Sequence, residues 1–173
     1  MSGIIPEIGA IDAFVENINA GLEKSGILRE ELAMMDHVCY RVETIGRYNE
    51  MLQKFGGSAS LIDESEVSGR LIATFEFENP LEVGGWRIPY LELPQPKEDS
   101  LYSEGLEHAE FVVIGSLDHF AKKHPELPFE TKGMTKPINR ELGLKHAGMS
   151  VKFHEQQLGA VVKIEQILAK NRG

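Results

Sequence analysis

Two histidines that each follow an acidic residue are the first candidates for chemistry in this sequence. The segments 36–42 (DHVCYRV) and 107–113 (EHAEFVV) both open with an acid and a histidine and continue with alternating side chains, and His37 and His108 lie 71 positions apart. A repeated unit that opens with histidine can bring two imidazoles into one cavity, where their neutral nitrogens bind divalent metals. A carboxylate from a third strand would complete a metal site.

Strand alternation indicates which side chains could share that cavity. Successive side chains of a strand point to opposite faces, so His37 lies on the same face as Cys39 and Arg41, and His108 on the same face as Glu110. Two further segments contribute a metal-competent residue by the same argument; Glu92 shares a face with Tyr90, and His154 with Lys152. Two imidazoles and one carboxylate suit Fe(II), Zn, Mn, Ni or Co.

Each of these carboxylates and cations also has a structural interpretation. Glu92 could be a rim carboxylate on an edge strand, where charge opposes aggregation. Glu110 could pair with Arg41 or Lys152 instead of acting in catalysis. Those two cations could in turn hold an anionic group of a substrate or only form salt bridges.

The remaining histidines and the cysteine are judged separately. His154 could be a fourth ligand, a general base or a donor that orients Glu92. The single cysteine, Cys39, is expected to be a small buried side chain without reactivity. Three histidines are expected to be solvated and without a role: His119, His124 and His146.

Composition excludes several classes of function. The 173-residue chain carries a net charge of −9 and has no basic run longer than a pair, so a nucleic-acid partner is not expected. No apolar stretch approaches the ~20 residues of a membrane span, and the start lacks a leader-like pattern. One cysteine permits no internal disulfide, which is typical of a cytoplasmic protein. Motifs for nucleotide binding and serine hydrolysis are absent from the sequence.

Hydrophobic periodicity predicts the elements that position these residues. Apolar residues at helical spacing predict a first helix over 6–24, and the first repeat unit continues as a strand from Asp36, a helix over 45–55 and strands over 58–63, 70–78 and 86–93. Gly84-Gly85 predicts the last hairpin turn of this unit. The two prolines and the charges of segment 93–99 predict a boundary between two modules.

The second unit repeats the order of the first. The pattern predicts a strand over 106–114, a short helix over 116–123, a short strand over 127–131, and strands over 138–144 and 149–154 that are joined by the turn 145–148. An amphipathic helix over 157–170 ends the sequence.

The motifs in this order resemble those of the YecM family, a group within the glyoxalase/bleomycin-resistance/dioxygenase superfamily, also called vicinal oxygen chelate. The resemblance rests on Asp36-His37 with Arg41 and on the segments 86–96 (WRIPYLELPQP), 104–110 (EGLEHAE) and 151–154 (VKFH), and it runs from about Leu32 to the final helix. It implies an α+β fold in which two βαβββ modules form a cupped, mixed β-sheet barrel with helices at both termini. The expected single domain spans 1–173, with an N-terminal helix (1–30), module one (31–95), module two (101–155) and a C-terminal helix (156–173).

The resemblance also implies where a metal would bind. Carried over to this sequence, the first strand supplies His37, the last strand of module one Glu92 and the first strand of module two His108. The superfamily's fourth ligand, usually a glutamate, falls near His154, and the parity of Glu155 points it outward. Three ligands plus water, or His154 as an unusual fourth, are therefore the expected sets for one divalent ion.

The family resemblance names no single reaction, and the first hypothesis is a metal-dependent isomerase, lyase or dioxygenase acting on a small substrate that chelates the metal through adjacent oxygens. In this interpretation Glu110 or His154 moves a proton, and the substrate is held by Arg41, Lys152 and Tyr90. The alternative is a non-catalytic protein that binds or sequesters a small molecule on the same fold. Either a monomer or a homodimer is compatible with two modules in one chain.

Overall fold

The N-terminal segment forms two helices where the sequence predicts one. The structure, a computed structural model, describes residues 5–98 and 103–172. Helix α1 spans Ile5–Ile8 and helix α2 spans Ile11–Lys24. Gly9 separates them with a φ of 81°, a left-handed conformation that cannot continue a right-handed helix. The predicted apolar face of α2 is confirmed by the burial of Ile11, Val15, Ile18 and Leu22.

Module one contains the five predicted elements. They are β1 (Leu32–Arg41), α3 (Ile45–Gly56), β2 (Ser60–Val67), β3 (Arg70–Val83) and β4 (Trp86–Pro94). The Thr44 side chain accepts a hydrogen bond from the backbone N–H of Arg47 and so begins α3. Gly84 and Gly85 form the predicted hairpin turn with φ of 57° and 79°. Strands β2 and β3 both extend further than predicted, so this hairpin is longer than the sequence pattern indicates.

Module two is shorter than the prediction by one strand. Its elements are β5 (Gly105–Val113), α4 (Leu117–Lys123), β6 (Glu141–His146) and β7 (Met149–His154), followed by helix α5 (Leu158–Lys170). The strand predicted over 127–131 is reduced to one bridge between Glu130 and Gly143. Pro125 and Pro128 lack the N–H groups that a ladder needs, which explains why no strand forms there. Strand β6 begins at 141 instead of 138, and Ala147-Gly148 alone make the turn to β7.

The first strands of the two modules meet in the middle of one seven-stranded sheet. The strand order is β2-β3-β4-β1-β5-β7-β6, in which β1 and β5 are antiparallel while β1 pairs with β4, and β5 with β7, in parallel. The sheet is mixed and curved, as predicted, but it ends at β2 and β6 and so stays an open cup where the sequence analysis expects a barrel. Of the segment 93–99, which the sequence predicts to separate the modules, Leu93 and Pro94 end β4, the next residues precede β5, and Asp99 lies outside the described residues.

The apolar core fills the convex side of this cup. Alternate residues of β1, Val38 and Tyr40, belong to a single large cluster that also takes in Phe55, Phe111 and Phe120 from the helices and from β5. The other face of β1 presents His37, Cys39 and Arg41 to the concave side. Among residues 5–98 and 103–172, no helix combines the length and the apolar character that crossing a membrane requires.

Candidate metal centre

A local twofold relationship at the centre of the sheet explains why the repeated motif matters. Val38 pairs with Ala109 across the β1–β5 ladder, and these two residues are again 71 positions apart. On either side of that pair, His37 lies opposite Glu110 and Cys39 lies opposite His108. The repeat therefore places two histidines diagonally across the same concave surface, each facing a residue of the other module.

Strand β4 brings the predicted carboxylate to this surface. It runs parallel to β1, with Tyr90 beside His37 and Glu92 beside Cys39. The Glu92 Oε2 atom lies 3.6 Å from His37 Nε2. Burial raises the pKa of Glu92, but the nearby His37 and Lys152 outweigh this effect, so that the net pKa is lowered. Glu92 is therefore a half-buried carboxylate whose lowered pKa favours the ionised form, and it lies on an interior strand of the sheet, not on an edge strand.

Glu110 is the hub of the cluster. Its carboxylate lies 3.4 Å from His37 Nε2, 3.1 Å from His108 Nε2, 3.5 Å from His154 Nε2 and 3.0 Å from Lys152 Nζ. Burial raises the pKa of Glu110, but the neighbouring His37 and Lys152 more than offset this, so that its pKa lies well below the usual range. Of the two pairings that the sequence left open, the structure has Lys152 as the ion-pair partner.

His37 is oriented by the acid that precedes it. Its Nδ1 lies 2.9 Å from Asp36 Oδ2, and the same oxygen accepts a hydrogen bond from the backbone N–H of Leu158 at the start of α5. Burial lowers the pKa of His37, whereas Glu110, Glu92 and Asp36 raise it, and the net pKa lies well above the ordinary value. With Nδ1 held by Asp36, only Nε2 faces the two glutamates.

The donor atoms at this point fit a divalent metal ion. Within residues 5–98 and 103–172, His37 Nε2 has no hydrogen-bond partner although it is buried. His37, Glu92 and Glu110 each offer one ligand atom, and these atoms all lie within 4.8 Å of one another. Ligands about 2.0–2.2 Å from one ion are roughly 3–3.5 Å apart, close to the spacings seen here. The acid behind His37 is the second-shell partner that metal-binding histidines usually have.

The predicted third ligand, His108, lies in a neighbouring group. Cys39, Glu92 and His108 form a second set within 4.8 Å, so the predicted trio of His37, Glu92 and His108 is divided between two sets that share Glu92. His108 Nδ1 is 3.3 Å from Glu107, the acid that precedes it. Burial lowers its pKa, but Cys39, Glu107 and Glu110 raise it well above the ordinary value. Cys39 is buried, as expected, yet it borders this set.

His154 lies behind Glu110. It is fully buried, its Nδ1 faces the backbone carbonyl of Gln156, and its Nε2 has no hydrogen-bond partner among the described residues. With Asp36 and His37 it forms a third set of potential ligands. Glu155, the alternative superfamily position, accepts a hydrogen bond from Leu117 N and pairs with Arg140, away from the cluster. This agrees with the outward parity expected for it.

Two adjoining cavities open onto the cluster. One, with a volume of about 380 Å³, is lined by His37, Glu92, Glu110 and Lys152 and is walled by Leu158 and Val162 of α5, among others. The second, of about 580 Å³, is lined by Arg41, His108 and Lys152 among others. Lys152 therefore borders both cavities, and it also lies 3.9 Å from Glu141.

Of the other two predicted substrate-binding residues, Arg41 lines a cavity and Tyr90 does not. Arg41 lines the second cavity and forms an ion pair with Glu107. Tyr90 packs in a small apolar cluster with Leu158 and Val162 beneath α5, and it lines neither of the two cavities. Its pKa is raised by burial and by the nearby Glu76 and Asp36.

Two residues make buried contacts that the sequence analysis does not predict. His124, expected to be solvated, is buried, and its Nε2 lies 2.9 Å from Glu31 Oε1. The two residues come from distant segments, so no local pattern could join them. The second residue is Asp36, which contacts His37. The acid-histidine repeat in the sequence is the signal that points to this contact. His119 and His146 are exposed, as predicted.

Comparisons with known proteins agree with this architecture. The family model described as "YecM protein" matches residues 7–165. Protein YecM of Escherichia coli (strain K12) is 27% identical over 149 residues, covering 76% of this chain and 78% of that protein. A solved structure described as "Structural Genomics, Protein EC4020" has a TM-score of 0.77 at 23% identity and covers 92% of each chain.

A more distant solved structure shares the fold. Streptomyces coelicolor methylmalonyl-CoA epimerase (E43Q), in complex with 2-nitronate-propionyl-CoA, has a TM-score of 0.54 at 16% identity, covering 72% of this chain and 98% of that one. This chain and that epimerase thus share a fold. Because the family model covers most of its length, this chain belongs to the YecM family.

Proposed function

We propose that this protein binds one divalent metal ion through His37, Glu92 and Glu110 and acts on a small molecule that chelates the ion through adjacent oxygens. The observation that carries the proposal is a buried histidine whose free nitrogen faces two ionised carboxylates at ligand spacing. A divalent ion between them would compensate the two carboxylates in place of a proton on His37, and it would bind the imidazole nitrogen that has no hydrogen-bond partner among the described residues. The mixed nitrogen and carboxylate set suits Fe, Mn, Zn, Ni or Co.

His108, the ligand implied by the family resemblance, takes a different role in this proposal. Its Nε2 lies 3.1 Å from the Glu110 carboxylate, so it donates a hydrogen bond to that ligand and fixes its orientation. His154 faces the other Glu110 oxygen from behind and acts as a positioning residue, since it lines neither of the two cavities.

The remaining cavity residues supply the rest of the proposed chemistry. When bound, the metal would act as a Lewis acid on a carbonyl or enolate or would activate oxygen. Lys152 reaches both cavities and can hold an anionic oxygen of the substrate, and Arg41 can hold another. Leu158 and Val162 exclude water on the side of α5. An isomerase, a lyase or a dioxygenase of small molecules is compatible with these parts, and the shared fold with an epimerase supports small-molecule chemistry.

The proposal is tested by elemental analysis of untagged protein purified without a chelator. About one equivalent of a transition metal in the wild type, lost in Glu110→Gln, is the expected result. Glu155→Gln removes the same charge outside the cluster and should retain the metal. Failure to load Fe, Mn, Ni or Zn after reconstitution would overturn the proposal and leave the cup as a binding pocket for a small molecule.

A further inference from the structure

The second cavity is strongly basic although the protein is acidic. Among the residues that the structure describes, seven lysine and arginine side chains line it, against three glutamates, which gives a formal surplus of four positive charges with His108 neutral. The whole chain carries −9. No two of these cations are neighbours in the sequence, so the patch exists only because strands from both modules meet. A local field of this sign attracts anions into the cleft.

Three of the seven cations are already paired with carboxylates. Arg41 pairs with Glu107, Lys136 with Glu141 and Lys152 with Glu110. These pairs are close to neutral and do not by themselves require a ligand.

The other four cations have no carboxylate partner among the described residues and can therefore contact a ligand. Arg70, Lys97, Lys132 and Lys145 have no carboxylate within 4.0 Å in the part of the chain that the structure describes, residues 5–98 and 103–172. The Nε atom of Arg70 is buried and has no hydrogen-bond partner among these residues, whereas one of its terminal nitrogens donates to the Gln95 carbonyl. The guanidinium of Arg70 is held in place by one hydrogen bond and still has an N–H group without an acceptor, so it can donate to an anion without rearranging.

The basic cavity continues into the cavity of the candidate metal centre. Lys136, Glu141 and Lys152 line both. One molecule can therefore occupy the two together, with chelating oxygens at the acidic end and an anionic group at the basic end. The basic cavity has a volume of about 580 Å³, within the range of small-molecule sites.

We propose that the substrate of this site is a phosphorylated small molecule, whose phosphate is held by Arg70, Lys132 and Lys145 with Lys97 at the edge. This inference rests on the proposed function for the other end of the molecule. A phosphate dianion matches the surplus charge better than a single carboxylate does. Its oxygens also accept several hydrogen bonds at once from a guanidinium and from ammonium groups.

The test measures the binding of inorganic pyrophosphate to metal-free protein by isothermal titration calorimetry. Pyrophosphate should bind the wild type, and Lys132→Gln/Lys145→Gln should weaken that binding about tenfold, because two positive contacts to the anion are lost. Both lysines are exposed, so the variant should fold normally. The separate variant Arg70→Gln should also weaken the binding of pyrophosphate.

A matched control separates this site from general electrostatics. Lys163→Gln/Lys170→Gln removes the same charge from exposed positions of α5 that line neither cavity, and it should change the affinity less than about twofold. Equal losses in both double variants, or no measurable binding by the wild type, would overturn the proposal. Tighter binding of citrate than of pyrophosphate would assign the cavity to carboxylates and would overturn it as well.

The two proposals can fail separately. Pyrophosphate binding is measured without metal, so its presence in a protein that never loads metal would leave the phosphate site standing while the metal proposal fails. Metal loading without pyrophosphate binding would leave the metal proposal standing while the phosphate proposal fails.

Discussion

Asp36 Oδ2 accepts a hydrogen bond from His37 Nδ1 at a distance of 2.9 Å, and it lies behind the imidazole as seen from the cavity. The contact fixes the tautomer in which Nε2 is free to bind a metal. It also joins two neighbouring residues whose side chains would otherwise point to opposite faces of β1; an irregularity in the β1–β5 register between Met35 and His37 accompanies this departure from alternation.

Substituting Asp36 by Asn should weaken metal binding while the fold is retained. The amide oxygen can still accept from Leu158 N, but it loses the negative charge that makes His37 a strong donor. Removing such a partner costs roughly 10–100-fold in metal affinity. Competition against a chromogenic chelator measures this change. The equivalent variant Glu107→Gln serves as the control, because Glu107 contacts His108 instead; an equal effect of both substitutions would contradict the assignment of His37 as a ligand and His108 as a partner.

The third ligand can be identified by comparing Glu110→Gln with His108→Gln. If Glu110 binds the ion, its substitution should remove the metal, whereas His108→Gln should retain it with a modest loss of affinity, about tenfold, because only the orientation of Glu110 changes. Metal content per chain after desalting distinguishes the two. Loss of the metal in His108→Gln together with its retention in Glu110→Gln would show that His108 is the third ligand, as the family resemblance implies.

Gly159 of α5 provides a test of how the cup is covered. A Cβ atom at this position would overlap the Tyr90 hydroxyl oxygen and would lie 2.7 Å from its ring, so Gly159→Ala should displace the helix or the ring. The expected loss of stability is about 1–3 kcal/mol, as for other overpacked sites. Thermal unfolding measures it. Tyr90→Leu should partly rescue Gly159→Ala in a double-mutant cycle, and additive effects would show that the two residues do not share this contact.

The Glu31–His124 pair predicts a pH dependence of stability. Burial raises the pKa of Glu31, but the Leu28 backbone N–H, Lys123 and His124 together hold it below its ordinary value of 4.5. A carboxyl whose pKa is lower in the folded state contributes stability above its unfolded pKa and loses it as the pH falls through the folded pKa.

Wild-type stability should therefore decline below about pH 4.5. Glu31→Gln should be less stable than the wild type at pH 7, and the difference should shrink in acid. Chemical denaturation at pH 7, 5 and 3 measures both. A difference that stays constant across this range would show that the carboxylate charge of Glu31 has no part in its contribution.

Much of the fold could be predicted because it depends on local patterns. Alternation in β1 and β5 and helical spacing in α2 and α5 correctly predict the element order, and the repeated acid-histidine motif correctly places both histidines on one surface. The two main errors have local causes as well. Gly9 interrupts a pattern that is otherwise helical, and Pro125 and Pro128 remove the hydrogen bonds that a strand at 127–131 would need.

The arrangement of the site was harder to predict because it depends on register between strands far apart in the sequence. Parity shows that His108 and Glu110 face the cup, but only the pairing of Glu110 with His37 reveals which of them lies nearest the proposed ion. The same limitation hides the basic cavity, whose cations are scattered from Arg41 to Lys152. A charge count along the sequence gives only the net charge of −9, whereas the folded protein gathers seven cations of the described residues around one cavity.

The hydrogen bond from Leu158 to Asp36 couples the last helix to the metal centre. The oxygen that receives the first N–H of α5 is also the oxygen that orients His37. Undocking of α5 would therefore open the cup and loosen His37 in the same event. By thermodynamic reciprocity, an ion held by His37 must slow amide hydrogen exchange in the first turn of α5, and a molecule that keeps α5 docked must tighten the binding of the ion by the same factor.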